Sequence, residues 1–193
     1  MTLPDPLYND WIHQQILVRP DCLAVYDLTA DRPFTWKQFD ERVDALAHWL
    51  LHTGIRSGDR IAYLGLNSSD VLEIFFATLR IGAAYVPLNF RLTPPELSFI
   101  VSDCTPSAIF YDRSFRDVID AIDAKVEPEA LVESALDGSE SAYERCFAAD
   151  LAAIEPAAVN ADTLSMIMYS SGTTGKPKGV MYTRRMMLSS ALN

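Results

Sequence analysis

Hydroxyl, glycine and lysine side chains crowd into one short stretch of the sequence, residues 169–180 (YSSGTTGKPKGV). An apolar run, residues 164–169, leads straight into it. Glycines let the backbone adopt φ > 0 and approach a ligand closely, so successive N–H groups can converge on an anion. Hydroxyls can donate to phosphate oxygens, and lysines add a mobile positive charge. These residue types in this order predict a loop that binds a polyphosphate.

The charge around this loop also favours an anionic ligand. Residues 170–193 contain four cations and no Asp or Glu, whereas the whole chain has a formal net charge of −10. A region of one sign on a chain of the other sign indicates an anionic ligand. The alternative is a surface loop rich in Gly, Ser and Lys that binds nothing. A Walker A loop is excluded, because Pro177 stands five residues after Gly172, where that pattern has the second glycine that begins its GK[ST] sequence.

Caps and apolar spacing upstream of the loop predict alternating helices and strands. Capping boxes at Thr35 and Thr93 begin two of the helices. The predicted helices are 36–53, 70–81, 94–103 and one containing 115–122, and the predicted strands are 60–66, 83–88, 108–111 and 164–169. Strands separated by helices form βαβ units, so the sequence predicts an α/β fold, a largely parallel sheet with flanking helices. Ligands bind at the carboxyl ends of strands in such sheets, which is where the loop follows residues 164–169.

The segment 124–162 differs from the rest of the chain in its charge. It contains nine acids and two bases, a net charge of −7. Such a concentration of one sign predicts a solvated acidic connector, with an acidic regulatory surface as the alternative.

The order of residues in the loop resembles the nucleotide-binding signature of the adenylate-forming enzymes, which include acyl-CoA synthetases, amino-acid-activating domains and beetle luciferases. Further upstream segments are similar to the start of fatty-acyl-CoA ligases. They are FTWKQF at 34–39, GDRIA at 58–62, NS at 67–68, GA at 82–83 and VPLN at 86–89. The resemblance covers nearly all of the chain apart from the acidic segment.

This resemblance implies a set of contacts to the phosphates of ATP. Backbone N–H groups from Ser171 to Gly175 would hold the β- and γ-phosphates, the Ser170 and Thr173 hydroxyls would touch phosphate or Mg²⁺, and Lys178 would lie against the phosphates. Lys176 occupies a variable position and is expected to point to solvent. The ATP-binding residues implied are Ser170, Ser171, Gly172, Thr173, Thr174, Gly175 and Lys178, with Ser170 as the candidate magnesium ligand.

The resemblance also implies that residues 1–193 are the N-terminal portion of the large domain of such an enzyme. Relatives continue past the position of Asn193 into the adenine site and a mobile C-terminal domain with a catalytic Lys. The expectation is therefore a fragment that lacks the C-terminal domain, contains no catalytic residue and is inactive alone. A sheet cut before its later strands leaves a free edge, so self-association is expected as well.

The function that the resemblance implies for the parent protein is acid–thiol ligation. ATP activates a carboxylic acid as an acyl-adenylate, and CoA accepts the acyl group. Because the upstream segments are most similar to fatty-acyl-CoA ligases, the acid that the resemblance implies is a fatty acid. Two alternatives stay open: an adenylation domain that loads a carrier protein, and a non-catalytic remnant.

Composition argues against several functional classes and indicates the expected cellular compartment. The sequence pI of about 4.6 opposes binding to nucleic acid. The three cysteines, Cys22, Cys104 and Cys146, fit neither a zinc pattern nor a disulfide framework. No signal peptide is recognisable, and no apolar run reaches the ~18 residues of a membrane span. The expectation is a soluble, cytoplasmic protein.

Overall fold

The four helices and four strands that the sequence predicts are all present, with ends within two residues of the predicted ones, and further elements that were not predicted accompany them. The computed structural model describes residues 11–123, 126–148, 151, 158–170 and 176–192. The helices are α1 (Trp11–Val18), α2 (Trp36–His52), α3 (Ser69–Arg80), α4 (Pro94–Cys104), α5 (Arg116–Ala121), α6 (Ala142–Arg145) and α7 (Arg184–Leu192). The strands are β1 (Leu23–Asp27), β2 (Arg32–Thr35), β3 (Arg60–Leu64), β4 (Ala84–Leu88), β5 (Ala108–Asp112), β6 (Leu131–Ser134), β7 (Leu164–Ser170) and β8 (Lys178–Thr183).

Both predicted capping boxes are present. The Thr35 side chain accepts the Gln38 N–H at 3.2 Å, and the Gln38 side chain accepts the Thr35 N–H at 2.9 Å. Thr93 and Glu96 form the same reciprocal pair at the start of α4. Because the first turn of a helix has N–H groups with no partner inside the helix, these side chains fix where α2 and α4 begin.

Six strands form one sheet in the order β6-β5-β3-β4-β7-β8. Strands β3 to β7 are parallel to their neighbours, and β8 runs antiparallel to β7. Strands β1 and β2 form a separate antiparallel hairpin. The structure therefore confirms the predicted α/β fold with a largely parallel sheet, and adds an antiparallel strand at one edge and a hairpin that the sequence pattern did not reveal.

Alternate residues of the strands pack against helices on opposite faces of the sheet. On β3, Ile61 and Tyr63 lie in one apolar cluster with α2 and α3, whereas Ala62 and Leu64 lie in another with α4 and α5. On β7, Ile167 belongs to the α4 side. The period of two is the strand repeat, and burial on both faces explains why these strands read as continuous apolar runs.

The acidic segment contributes directly to the core. Strand β6 pairs with β5, Val132 is 3% exposed, and Tyr143 on α6 is fully buried. The prediction of a solvated connector over 124–162 is therefore wrong for residues 131–146. A net charge taken over the whole segment conceals short apolar runs inside it, which is why the composition misled.

Buried charges join α2, α3 and α6 on the face of the sheet away from α4. The Arg42 guanidinium donates to Glu73 at 2.7 Å and to Glu144 at 3.0 Å, and the Tyr143 hydroxyl donates to Glu73 at 2.6 Å. Glu73 is fully buried. Each carboxylate oxygen of Glu73 thus has a partner, which is the condition for burying a charge.

A second group of charges holds the β1–β2 hairpin on the start of α3. The Arg32 guanidinium donates to Asp70 at 2.8 Å, and Asp27 accepts the Ser69 N–H at 2.8 Å. Burial raises the pKa of Asp70 to about 6, the nearby charge of Glu73 adds to that shift, and the bond from Arg32 opposes it. A buried carboxyl with this pKa changes its charge between acidic and neutral pH.

Among the residues that the structure describes, no helix combines the length and apolar character needed to cross a membrane.

Candidate functional site

The predicted phosphate loop joins the two strands of an antiparallel hairpin at one edge of the sheet. Strand β7 is parallel to β4, with Tyr85 opposite Met166, so β7 ends at the carboxyl edge of the sheet. Strand β8 then runs back, and Thr183 lies opposite Leu164 at the other edge. The loop therefore begins and ends at the carboxyl edge, the edge at which parallel α/β sheets bind ligands.

The hairpin brings together two of the residues predicted to contact phosphate. Ser170 at the end of β7 and Lys178 at the start of β8 are Cα partners, and both are exposed. A hydroxyl and an ammonium group therefore lie side by side at the mouth of the loop. The other five predicted residues lie outside the described part of the chain: Ser171, Gly172, Thr173, Thr174 and Gly175.

The arm of the hairpin that precedes the loop is tied to α4. The Tyr169 hydroxyl donates to the Asp103 carboxylate at 2.5 Å. The Tyr169 ring packs against the apolar cluster that also contains Ile167 and Val101. Burial, followed by the hydrogen bond to Asp103, raises the pKa of Tyr169, so its phenol stays protonated as the donor.

The segment just before β8 contacts the same helix. The Lys176 ammonium nitrogen lies 5.8 Å from the centre of the Phe99 ring. The sequence predicted that Lys176 points to solvent; the residue is exposed, but its ammonium lies over an aromatic face. Phe99 and Asp103 are four residues apart on α4 and so share one face of it.

Gly179 allows the two strands of the hairpin to approach closely. A Cβ atom at this position would lie 2.9 Å from Cγ2 of Ile167 and 3.2 Å from Cζ of Tyr169. Both distances are shorter than ordinary carbon contacts of about 3.5–4.0 Å. The glycine is therefore required here for space, beside the ring that is bonded to Asp103.

Asp103 and Phe99 are the residues of this site that the sequence analysis missed. Their spacing of four on a predicted helix was visible, but their relation to the loop was not. It depends on β7 lying next to β4, and strand order is not encoded in any local pattern. Since residues 170–193 contain no acid, Asp103 is a negative charge that the fold brings to a basic region.

The donor set at the loop fits a magnesium ion bound together with phosphates. Within the described ranges, no cluster of three or more His, Cys, Asp or Glu side chains could hold a metal by itself. Mg²⁺ typically keeps several waters and binds through substrate phosphates with few protein ligands. The Ser170 hydroxyl at the mouth of the loop is suited to such a minor ligand role.

Similarity to known proteins agrees with this geometry. The family model described as AMP-binding enzyme matches residues 12–193. The long-chain-fatty-acid–CoA ligase FadD13 of Mycobacterium tuberculosis is 38% identical over 93% of this chain, which covers 35% of FadD13. A fatty acid–acyl-carrier-protein ligase, ScoC of Streptomyces coeruleorubidus, is 37% identical over 82% of this chain and 30% of its own length.

Solved structures show the same fold. The crystal structure of ATP-bound MatB from Rhodopseudomonas palustris superposes with a TM-score of 0.80 at 29% identity, and covers 96% of this chain and 36% of MatB. The chain spans about a third of the length of the curated relatives it matches. With a family model over nearly all of its residues, and with its loop at the carboxyl edge of a parallel sheet, the chain belongs to the AMP-binding enzyme family.

Proposed function

We propose that this chain forms the ATP-phosphate-binding part of an acid–thiol ligase that activates a carboxylic acid. The observation that carries the proposal is the pairing of Ser170 with Lys178 at the carboxyl edge of the sheet. It places a hydroxyl donor and a cation at the two ends of a glycine-rich segment of seven residues, 171–177. The names of the relatives, which are CoA and carrier-protein ligases, support the reaction class.

In the proposed reaction, a carboxylate oxygen of the acid attacks the α-phosphorus of ATP, and the bond to the pyrophosphate oxygen breaks. The acyl-adenylate then reacts with a thiol, whose sulfur bonds to the acyl carbon while AMP leaves. Lys178 and the hydroxyls of Ser170 and Thr173 hold the β- and γ-phosphates and bear the charge that develops as pyrophosphate departs. Backbone N–H groups of Ser171 to Gly175 complete this anion site. Mg²⁺ bound with the phosphates would neutralise part of their charge.

A fatty acid is the substrate class we propose, because FadD13 is named for long-chain fatty acids. CoA is the proposed acceptor. A carrier-protein thiol is the second candidate, supported by the similarity to ScoC, which is named for an acyl carrier protein. A non-catalytic role is the alternative from a different class.

Binding of Mg·ATP to the 193-residue chain tests the proposal. Each charge-assisted hydrogen bond contributes about 1.5–3 kcal/mol, so two or three of them contribute about 3–9 kcal/mol and predict a Kd of about 6 mM or tighter. Isothermal titration calorimetry should show saturable binding, and inorganic tripolyphosphate should compete, because the contacts are to phosphates. Binding of adenosine that equals binding of ATP, or no saturable ATP binding, would overturn the proposal.

The acceptor is tested in the protein that contains this chain. Release of AMP is measured with a fatty acid and ATP in the presence of either CoA or a phosphopantetheinylated carrier protein. AMP release that depends on CoA supports a CoA ligase. AMP release with the carrier protein but not with CoA supports the second candidate, a ligase that loads a carrier protein, and rules out CoA as the acceptor.

A further inference from the structure

We propose that α4 positions the phosphate loop, with Asp103 holding the end of β7 through Tyr169 and Phe99 holding the segment just before β8 through Lys176. The proposal rests on the proposed function, because it concerns the same loop. Asp103 and Phe99 are positioning residues here, because a carboxylate and a phenyl ring have neither a hydrogen-bond donor nor a positive charge to offer a phosphate.

The contact geometry is the first argument. Tyr169 directly precedes Ser170, and its hydroxyl donates to Asp103 at 2.5 Å. Lys176 lies two residues before Lys178, and its ammonium lies over Phe99. One face of one helix therefore contacts the residue directly before Ser170 and the residue two positions before Lys178. A loop anchored at both ends loses less conformational entropy on binding a ligand than a free one does.

The sign of the charges is the second argument. The Asp103 carboxylate is bonded to the side chain that directly precedes Ser170, so without a positioning role its charge would only repel a polyphosphate bound at the loop and weaken binding. In this structure, the Asp103 carboxylate accepts the Tyr169 hydroxyl, and Tyr169 in turn fills the space that Gly179 leaves open. Asp103 therefore has two effects on ATP binding: its charge repels the ligand, and its bond to Tyr169 fixes the ring against β8. Removing the carboxylate should tighten ATP binding if repulsion dominates and weaken it if positioning dominates.

The test is a double-mutant cycle on Mg·ATP affinity. Asp103→Ala and Tyr169→Phe should each raise the Kd by about threefold to tenfold, the range expected for one hydrogen bond. The double variant should be no worse than either single variant, because both remove the same bond. Asp103→Asn keeps an acceptor oxygen and should restore part of the affinity. If Asp103→Ala instead tightens ATP binding, electrostatic repulsion dominates and the positioning role is wrong.

Two controls separate the positioning of the loop by Asp103 from a general effect of lost charge or lost stability. Asp120→Asn removes a charge from an exposed acid on α5 that takes no part in the proposed contacts with the hairpin, and should leave the Kd within about twofold, since salt screens exposed charges. The thermal midpoint of Asp103→Ala should stay close to that of the unaltered protein, because Asp103 is exposed. A fall in the thermal midpoint that accounts for the whole loss of binding, or additive losses in the double variant, would overturn the proposal.

The outcome also distinguishes this proposal from the proposed function. If the unaltered chain does not bind Mg·ATP, the proposed function fails. If it binds and Lys178→Ala weakens binding, while the Asp103 and Tyr169 variants bind as the unaltered chain does, the function stands and the positioning role of α4 is wrong.

Discussion

Ser170 and Lys178 lie opposite each other as Cα partners on β7 and β8, where the hairpin opens into the glycine-rich segment. Antiparallel partners have Cα atoms about 4.5–5.5 Å apart, so the hydroxyl and the ammonium can reach the same phosphate group. The register therefore places both ends of the loop within reach of one proposed ligand. Lys176, two residues earlier, points instead to the Phe99 ring.

The two lysines of the loop should differ in their effect on ATP binding. Lys178→Ala removes a charge-assisted contact to phosphate and should raise the Kd for Mg·ATP by about tenfold or more. Lys176→Ala removes an exposed cation–π contact of about 0.5–1 kcal/mol and should raise it by less than about fivefold. In the proposed ligase, the rate of adenylation should follow the same order. Equal losses from the two substitutions would show that the orientation of the loop arms is wrong.

Adding one methyl group at Gly179 should disturb both the fold and the site. Gly179→Ala places a Cβ 2.9 Å from Ile167 Cγ2, and such overpacking costs about 1–3 kcal/mol of unfolding free energy. Because the same Cβ displaces the Tyr169 ring, ATP affinity should fall as well. Val180→Thr, at the next and half-exposed position of β8, is the matched control and should change neither property appreciably. Chemical denaturation and calorimetry measure the two effects, and a Gly179→Ala protein with unchanged stability would contradict the close packing.

The buried Glu73 should make Arg42 important for stability. Arg42→Leu leaves a fully buried carboxylate with only the Tyr143 hydroxyl as partner, and breaking a buried pair in this way costs about 3–5 kcal/mol. The control is Lys37→Ala, since Lys37 and Glu41 form a pair 4.0 Å apart with both side chains 62% exposed. Such a pair contributes at most about 1 kcal/mol. The free energy of unfolding is measured by urea denaturation. Similar decreases for the two variants would show that the Glu73 carboxylate becomes hydrated when Arg42 is absent.

Asp70 should give the protein a pH dependence that Asp70→Asn removes. Its pKa is raised from 3.8 to about 6, mainly by burial, so the folded state favours the protonated carboxyl. The stability that it contributes is fully present below pH 3.8 and is lost as pH rises through about 6. At 1.36 kcal/mol per pKa unit, Asp70→Asn should gain up to about 3 kcal/mol relative to the unaltered protein between pH 4 and pH 7.

The comparison isolates Asp70 because the neighbouring groups act in both proteins. Asp27, whose pKa is lowered through hydrogen bonds that outweigh its burial, shifts stability in the opposite direction but is present in each. Arg32, Glu73 and Glu144 are also unchanged. A difference in unfolding free energy that is flat or shrinks from pH 4 to pH 7 would contradict the raised pKa.

Local signals in the sequence predict four of the helices correctly and are the basis of the loop prediction. Thr35 and Thr93 fix helix starts through contacts within three residues, and the residue types of 169–180 predict a phosphate loop without reference to the rest of the chain. Strand β6 was missed because only four residues form it inside an acidic segment. The link between Asp103 and Tyr169 was missed because it spans 66 positions in the chain and depends on strand order. Contacts of that kind follow from tertiary packing, which no local pattern encodes.

The last prediction concerns association of the 193-residue chain through β8. Within the described part of the chain, β8 lies at the edge of the sheet, with Val180 46% and Met181 64% exposed. An apolar edge strand has unpaired backbone groups that can bind a second strand, and Lys178 is its one charged residue. We expect the sedimentation coefficient and the thermal midpoint to rise with protein concentration.

Charge placed on this edge should suppress the association. Met181→Lys puts a cation in the middle of the edge strand and should yield a monomer, as charged edge residues do in natural sheets. Leu28→Lys is the control, because Leu28 is 83% exposed after β1, outside the six-stranded sheet, and its replacement should leave association unchanged. A monomer at all concentrations with a sharp melt above about 65 °C, beyond the usual range of mesophilic domains, would show that the edge of β8 is already protected.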